Sequence, residues 1–147
     1  MKEILFLCTG NSCRSQMAEG FARRVAPQNI RIHSAGIEPK TVNPLAIQVM
    51  KEVGIDISGQ KSKGLDSLPL ENVDLAITLC GEAAESCPTL SKKTERLHWP
   101  LFDPARARGD KETVLKSFRE VRDEIRRRVA MLFQKSHRAK TDARMKA

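Results

Sequence analysis

Tyrosine is absent from this 147-residue chain, and the other aromatics are few: five Phe and one Trp. Basic stretches therefore have no interleaved aromatic surface on which unpaired bases could stack, which reads against a single-stranded nucleic-acid binder. Long apolar runs are missing too. Runs such as Ile4-Leu5-Phe6-Leu7-Cys8 fall far short of the roughly 20 residues a membrane-spanning helix needs. That first run also lacks the length and the small-residue cleavage site of a secretion signal. The expectation is a soluble, cytoplasmic protein. Cysteine is sparse, at four residues. In a reducing compartment, so few cysteines read as catalytic or metal-binding groups rather than a permanent framework.

What is present is globular. Hydrophobic residues make up 40% and charged residues 30%, a balance that folds rather than stays disordered. The length suits one domain, able to bury a core without covalent staples. The net charge of +8 invites a nucleic-acid reading until it is located. Residues 135–147 hold five basic residues against one acidic, half of the excess. That segment has almost no large apolar side chains, so the reading is a domain over residues 1–134 and a basic, flexible tail over 135–147. The remaining charge suits a small anionic substrate.

Strand and helix patterns alternate along the chain. Residues 3–8 form an apolar run suited to a parallel strand covered on both faces. A Gly/Asn/Ser loop follows at 9–12, then a helix from Gln16 to Ala26, closed by Pro27. Ile30–Ser34 reads as a short strand closed by Gly36. Asn43-Pro44 has the look of an N-cap with proline at the first helical position, opening a helix that stops at Gly54. Asp74–Leu79 is a second strongly apolar strand and Arg96–Trp99 a last one. Residues 110–134 read as a long amphipathic helix with Phe118, Val121, Ile125, Val129, Leu132 and Phe133 on its core face. The expected fold is α/β, a single-domain three-layer sandwich with a four-stranded parallel sheet flanked by helices. Ligands in such sheets bind beyond the carboxyl ends of the strands. That rim gathers Cys8–Ser15, Cys80–Cys87 and Asp103.

Cys8-Thr9-Gly10-Asn11-Ser12-Cys13-Arg14-Ser15 runs from a strand end to a helix start. A short loop of small residues there turns backbone N–H groups inward around a tetrahedral oxyanion, helped by the positive end of the following helix. Arg14 adds a planar grip on two oxygens. The same donors favour a thiolate, the nucleophilic form, at Cys8. Ser15 can donate a hydrogen bond to that sulfur, and Asn11 tolerates left-handed backbone.

This loop resembles the phosphate-binding loop of the low-molecular-weight protein tyrosine phosphatases. With Gln16-Met17-Ala18-Glu19-Gly20 after it, it looks more like the thioredoxin-coupled arsenate reductases that share that fold. The resemblance continues through Ser34-Ala35-Gly36-Ile37-Glu38, Asn43-Pro44, Asp56-Ile57-Ser58, Thr78-Leu79-Cys80, His98-Trp99, Asp103-Pro104 and Val121-Arg122-Asp123-Glu124-Ile125. It covers nearly everything except the basic tail.

The resemblance implies Cys8 as nucleophile and Asp103 as the acid that protonates the departing oxygen. For that role Asp103 must hold a proton near neutral pH, which burial beside an anionic ligand favours. Thr9, Gly10, Asn11, Ser12, Cys13 and Arg14 would hold the oxyanion. Three features separate reductase from phosphatase. The tyrosine phosphatases carry a tyrosine pair after Asp-Pro, where this chain has Ala105-Arg106. Their loop usually has leucine after the nucleophile, where Thr9 stands. This chain also adds Cys80 and Cys87.

Cys80 alone could be a core cysteine. A zinc site is disfavoured because the Cys8-x4-Cys13 pair lies inside the anion loop and the Cys80-x6-Cys87 spacing exceeds the usual two to four residues. A redox relay fits better, since arsenate reduction takes two electrons and a thiol pair supplies two. The relay the resemblance implies passes from Cys8 to Cys80 to Cys87 and ends on thioredoxin. Phosphate and sulfate would compete with arsenate, a monomer is expected, and the alternative is a tyrosine or small-molecule phosphatase. Cys13 matches a loop cysteine outside the relay, and His33 and His98 read as structural. Some relatives bind potassium through positions matching Asn11, Glu19 and Ser34 plus an aspartate. Here Lys63 stands at the aspartate's place, with Asp66 nearby, so the ammonium is expected to replace the ion.

Overall fold

The computed structural model describes residues 3–80 and 90–146, with only the backbone course for 135–146. Its first strand, β1 (Glu3–Cys8), is buried at all six positions. Ile4, Leu5, Phe6 and Leu7 are wholly inaccessible on both faces, as a central strand covered on both sides requires. After the loop comes α1 (Arg14–Val25), then β2 (Arg31–Gly36), α2 (Pro44–Glu52), β3 (Leu75–Thr78), β4 (Glu95–His98) and α3 (Lys111–Lys146). One-turn 3₁₀ helices occur at Leu65–Ser67, Leu70–Asn72 and Pro104–Arg106.

The sheet order is β2-β1-β3-β4 and every pair is parallel. The chain thus moves from β1 to one neighbour, then crosses to the other side for β3. Such a reversal leaves a crevice beyond the carboxyl ends of β1 and β3. Cys8 ends β1, and Cys80 follows β3 by two residues. The core is built from Phe6, Met17, Met50, Ile57, Ile77, Leu79, Phe118 and Ile125. Among the described residues, α1 packs on α3 and β2, and α2 on α3.

The boundaries differ from expectation in instructive ways. α1 begins at Arg14 rather than Gln16, with Cys13 at its N-cap giving no side-chain cap bond. β2 starts at Arg31 and reaches Gly36, because Ala35 and Gly36 stay in register with Leu7 and Cys8. Gly36 closes the strand as expected, as its last paired residue. The Asn43 cap is present: its side chain accepts from Leu45 N at 2.8 Å. α3 continues past residue 134 to Lys146, so the backbone of the expected flexible tail is helical. Residues 135–146 offer the helix formers Ala, Lys, Arg and Met without a Gly or Pro to stop the helix. No helix among the described residues is long and apolar enough to cross a membrane.

Candidate active site

The loop from Thr9 to Cys13 is strapped from outside by residues 37–43. Ile37 N donates to Cys8 O (3.3 Å), Glu38 N to Thr9 O (2.8 Å), Lys40 N to Gly10 O (2.8 Å) and Asn43 N to Ser12 O (3.0 Å). No peptide bond among the described residues is cis. In a trans peptide the carbonyl and the next N–H point in opposite directions. With those four carbonyls turned to the strap, the N–H groups of Thr9, Gly10, Asn11 and Cys13 turn to the loop's inner side. Successive N–H groups converging in this way make an anion-binding concavity.

Asn11 holds the turn. Its backbone is left-handed, at φ 48°, as expected, and the side chain is fully buried. All its hydrogen-bonding capacity is used. Nδ2 donates to Ser15 Oγ (2.7 Å) and Ser34 Oγ (2.9 Å). Oδ1 accepts from Gln16 Nε2 (3.0 Å) and Lys63 N (2.8 Å). Because Ser15 Oγ accepts from Asn11, its own proton is free for Cys8 Sγ, 2.8 Å away. The expected Ser15–Cys8 contact is therefore in place and pre-oriented. On the other side Ser34 donates to the buried Glu19 carboxylate. Lys63 Nζ lies 3.4 Å from both Glu19 Oε1 and Ser34 Oγ, the position expected for its charge, and Arg23 Nε bonds Glu19 Oε2 at 3.0 Å.

Arg14 is buried at 6% exposure. One end donates to Leu101 O at 3.1 Å, and Nη2 stands 3.6 Å from Asp103 Oδ2. Its buried Nε has no partner among the described residues. A buried donor left open beside a loop of inward N–H groups calls for an acceptor, and a tetrahedral oxyanion would supply two oxygens to the fork. Asp103 caps the turn Pro104–Arg106 through Ala105 N (3.0 Å) and remains partly accessible.

A cavity of about 800 Å³ joins these groups. Cys8, Thr9, Gly10, Ser12, Cys13, Arg14, Cys80 and Asp103 all line it; Asn11 and Ser15 act from behind. Cys80 Sγ is 3.2 Å from Thr9 Oγ1. Cys8 and Cys13 are free thiols. Burial is the main cause pushing the Cys13 thiol up to about 12, with the charges of Asp103 and Cys8 adding to it against the Ser12 hydrogen bond and Arg14. A thiol held protonated in this way is a weak nucleophile. Cys87 lies in 81–89, outside the described residues. No group of three or more His, Cys, Asp or Glu suited to a metal occurs among the described residues. His98 Nδ1 is bound to Thr78 Oγ1 (2.7 Å) and His33 lies 3.6 Å from Glu3, both away from the cavity. Lys40, Leu101, Phe102 and Arg106 also line the cavity, and sequence reasoning passed over them.

Known proteins give this arrangement a context. The low molecular weight phosphotyrosine protein phosphatase family matches residues 3–142. An arsenate reductase of Bacillus subtilis is 53% identical over 128 residues, 87% of this chain and 92% of the relative. A solved arsenate reductase in the phosphate-binding state superposes with a TM-score of 0.75 at 39% identity, covering 92% of this chain and 98% of that one. A thioredoxin-dependent arsenate reductase of Corynebacterium glutamicum gives a TM-score of 0.70 at 25% identity, covering 95% and 63%. The chain belongs to the low molecular weight phosphotyrosine protein phosphatase family, on the branch of its arsenate reductases.

Proposed function

We propose that this protein reduces arsenate to arsenite and is recycled by thioredoxin. The observation that favours reduction over phosphate-ester hydrolysis is the second thiol: Cys80 opens on the same cavity as Cys8, touching the Thr9 hydroxyl. Hydrolysis needs water and one cysteine, whereas reduction needs two electrons. Kinship with arsenate reductases supports the same substrate.

The loop and Arg14 hold arsenate. The Cys8 thiolate attacks arsenic while Asp103 gives its proton to a departing oxygen, which leaves as water. The Cys80 thiolate then attacks Cys8 Sγ. The sulfur–arsenic bonding pair stays with arsenic, which departs as arsenite, and a Cys8–Cys80 disulfide remains. Cys87 attacks Cys80 Sγ and releases Cys8 as thiolate. Thioredoxin's dithiol takes up the Cys80–Cys87 disulfide by the same exchange. Phosphate and sulfate compete for the loop because they share the tetrahedral anionic shape. The protein works as a cytoplasmic monomer, the compartment in which thioredoxin keeps such thiols reduced.

Arsenate-dependent NADPH oxidation with thioredoxin and its reductase tests the proposal. Cys80→Ser and Cys87→Ser each lose turnover while any p-nitrophenyl phosphate hydrolysis persists. Normal arsenate turnover by both variants would remove the relay from consideration.

A further inference from the structure

Three cations, Arg14, Lys40 and Arg106, line the cavity with one carboxylate, Asp103. Arg14 is buried; the other two are exposed. Both exposed cations stand on backbone tied to the site. Lys40 N is bonded to Gly10 O. Its stem lies over the loop, with Cγ and Cδ 3.7 Å from where a Cβ on Gly10 would sit. Among the described residues its ammonium makes no ion pair. Arg106 closes the turn that Asp103 opens, its N bonded to Asp103 O at 3.0 Å. Its Nε stands 3.8 Å from Asp103 Oδ2, and its side chain is three-quarters exposed.

We propose that Lys40 and Arg106 are the capture residues of this site. They form an outer cationic pair that draws the anionic substrate to the cavity mouth and sets KM, leaving bond making and breaking to Cys8, Arg14 and Asp103. The proposal rests on the arsenate reading above. Substrate and product differ in charge there: arsenate is an anion at neutral pH, whereas arsenous acid is neutral. A cationic mouth concentrates the first and has no hold on the second. Pro100, Leu101 and Phe102 complete the wall, and low-dielectric walls focus the field of charges lining a cleft.

Lys40→Met and Arg106→Met remove charge but keep an apolar stem. Arsenate turnover is followed from about 20 to about 300 mM sodium chloride, across which screening shortens markedly. At low salt each variant raises KM roughly 3–10-fold with kcat within about twofold, and the gap closes at high salt. Arg106→Lys recovers most of the loss. Lys116→Met takes the same charge from the exposed face of α3 and leaves KM alone. Calorimetry with inorganic phosphate, without turnover, shows weaker binding in the same two variants. A double variant with wild-type KM and salt slope overturns the proposal. So does an equal loss from Lys116→Met, which would assign the effect to net charge, or a fall in kcat at unchanged KM. If the wild type turns over no arsenate but the phosphate affinities still shift, the reductase reading fails and the capture pair stands.

Discussion

Gly36→Ala is the sharpest probe of how the fold shapes the anion loop. A Cβ at residue 36 would lie 2.7 Å from Asn11 N and 2.8 Å from both Gly10 C and Thr9 O. All three are backbone atoms, and ordinary contact begins near 3.4 Å. Residue 36 cannot back away. Its N donates to Lys63 O at 2.8 Å, it pairs with Cys8 in the sheet, and it bridges Gly64 on the other side. The overlap of roughly 0.6 Å must therefore be relieved by the loop, at about 1–3 kcal/mol of stability, the usual cost of overpacking. Turning one loop N–H off target removes a hydrogen bond to a charged oxyanion, about 1.5–3 kcal/mol, or roughly 10–100-fold in phosphate affinity. Urea unfolding and phosphate calorimetry read the two effects. Gly59→Ala, with nothing within 4 Å of the new methyl, should change neither. Gly54→Ala, at φ +81°, should lose about 1 kcal/mol without touching phosphate binding. Unchanged phosphate affinity in Gly36→Ala would refute the claim that the close approach of β2 shapes the loop.

Other perturbations have defined signs. The buried Cys13 thiol sits at about 12 against 9.0 unperturbed, so below pH 9 both folded and unfolded states keep the proton. Between about pH 9 and 12 only the unfolded thiol ionises, and stability falls by up to about 4 kcal/mol. Cys13→Ala should flatten that alkaline decline in urea midpoints, and native Cys13 should resist a thiol reagent. The hydrogen bonds from Arg127 and then Arg128 draw Glu124 down to about 2 from 4.5. Its stabilisation is full above pH 4.5 and lost as pH falls through about 2. With the carboxylate a third exposed, the loss stays under about 1 kcal/mol and Glu124→Gln abolishes it. Lys63→Met leaves buried Glu19 with Arg23 and Ser34 alone, and should lower stability by about 1–3 kcal/mol. Added potassium should leave the wild type's turnover and melting temperature unchanged.

The strand–loop–helix carrying Cys8, Asn11, Arg14 and Ser15 was legible because its signals are local. An apolar run, small loop residues and an amphipathic period all lie within two dozen positions. The Asn43-Pro44 start was legible for the same reason. What escaped depends on contacts distant in sequence. Gly36 reads as a strand stop until the loop is seen pressed against it. Lys40 and Arg106 look like any solvated charge, because only the strap and the Asp103 turn bring them to one cavity. Gln16, named only as a helix start, is fully buried, its amide donating to Asn11 O, Asn11 Oδ1 and Lys61 O. The end of α3 is hidden in the sequence because residues beyond 134 are basic and poor in large apolar side chains, so no core-facing period marks them. Helix propensity and core packing are separate matters.

The all-parallel sheet also decides when the reactive centre can come into being. No strand of the sheet pairs through a tight hairpin. Cys8 meets Gly36, Thr9 reaches Cys80 across 71 positions, and Arg14 reaches Leu101 across 87. Contacts this distant form only after long chain closures have been made. The nucleophile is encoded within the first ten residues, but the groups that complete its site are spread as far as residue 103. Until those segments meet, Cys8 is an ordinary thiol, and its special reactivity arrives with the native state rather than with the sequence around it. The rate at which Cys8 becomes selectively alkylated during refolding is therefore a clock for the formation of the whole domain.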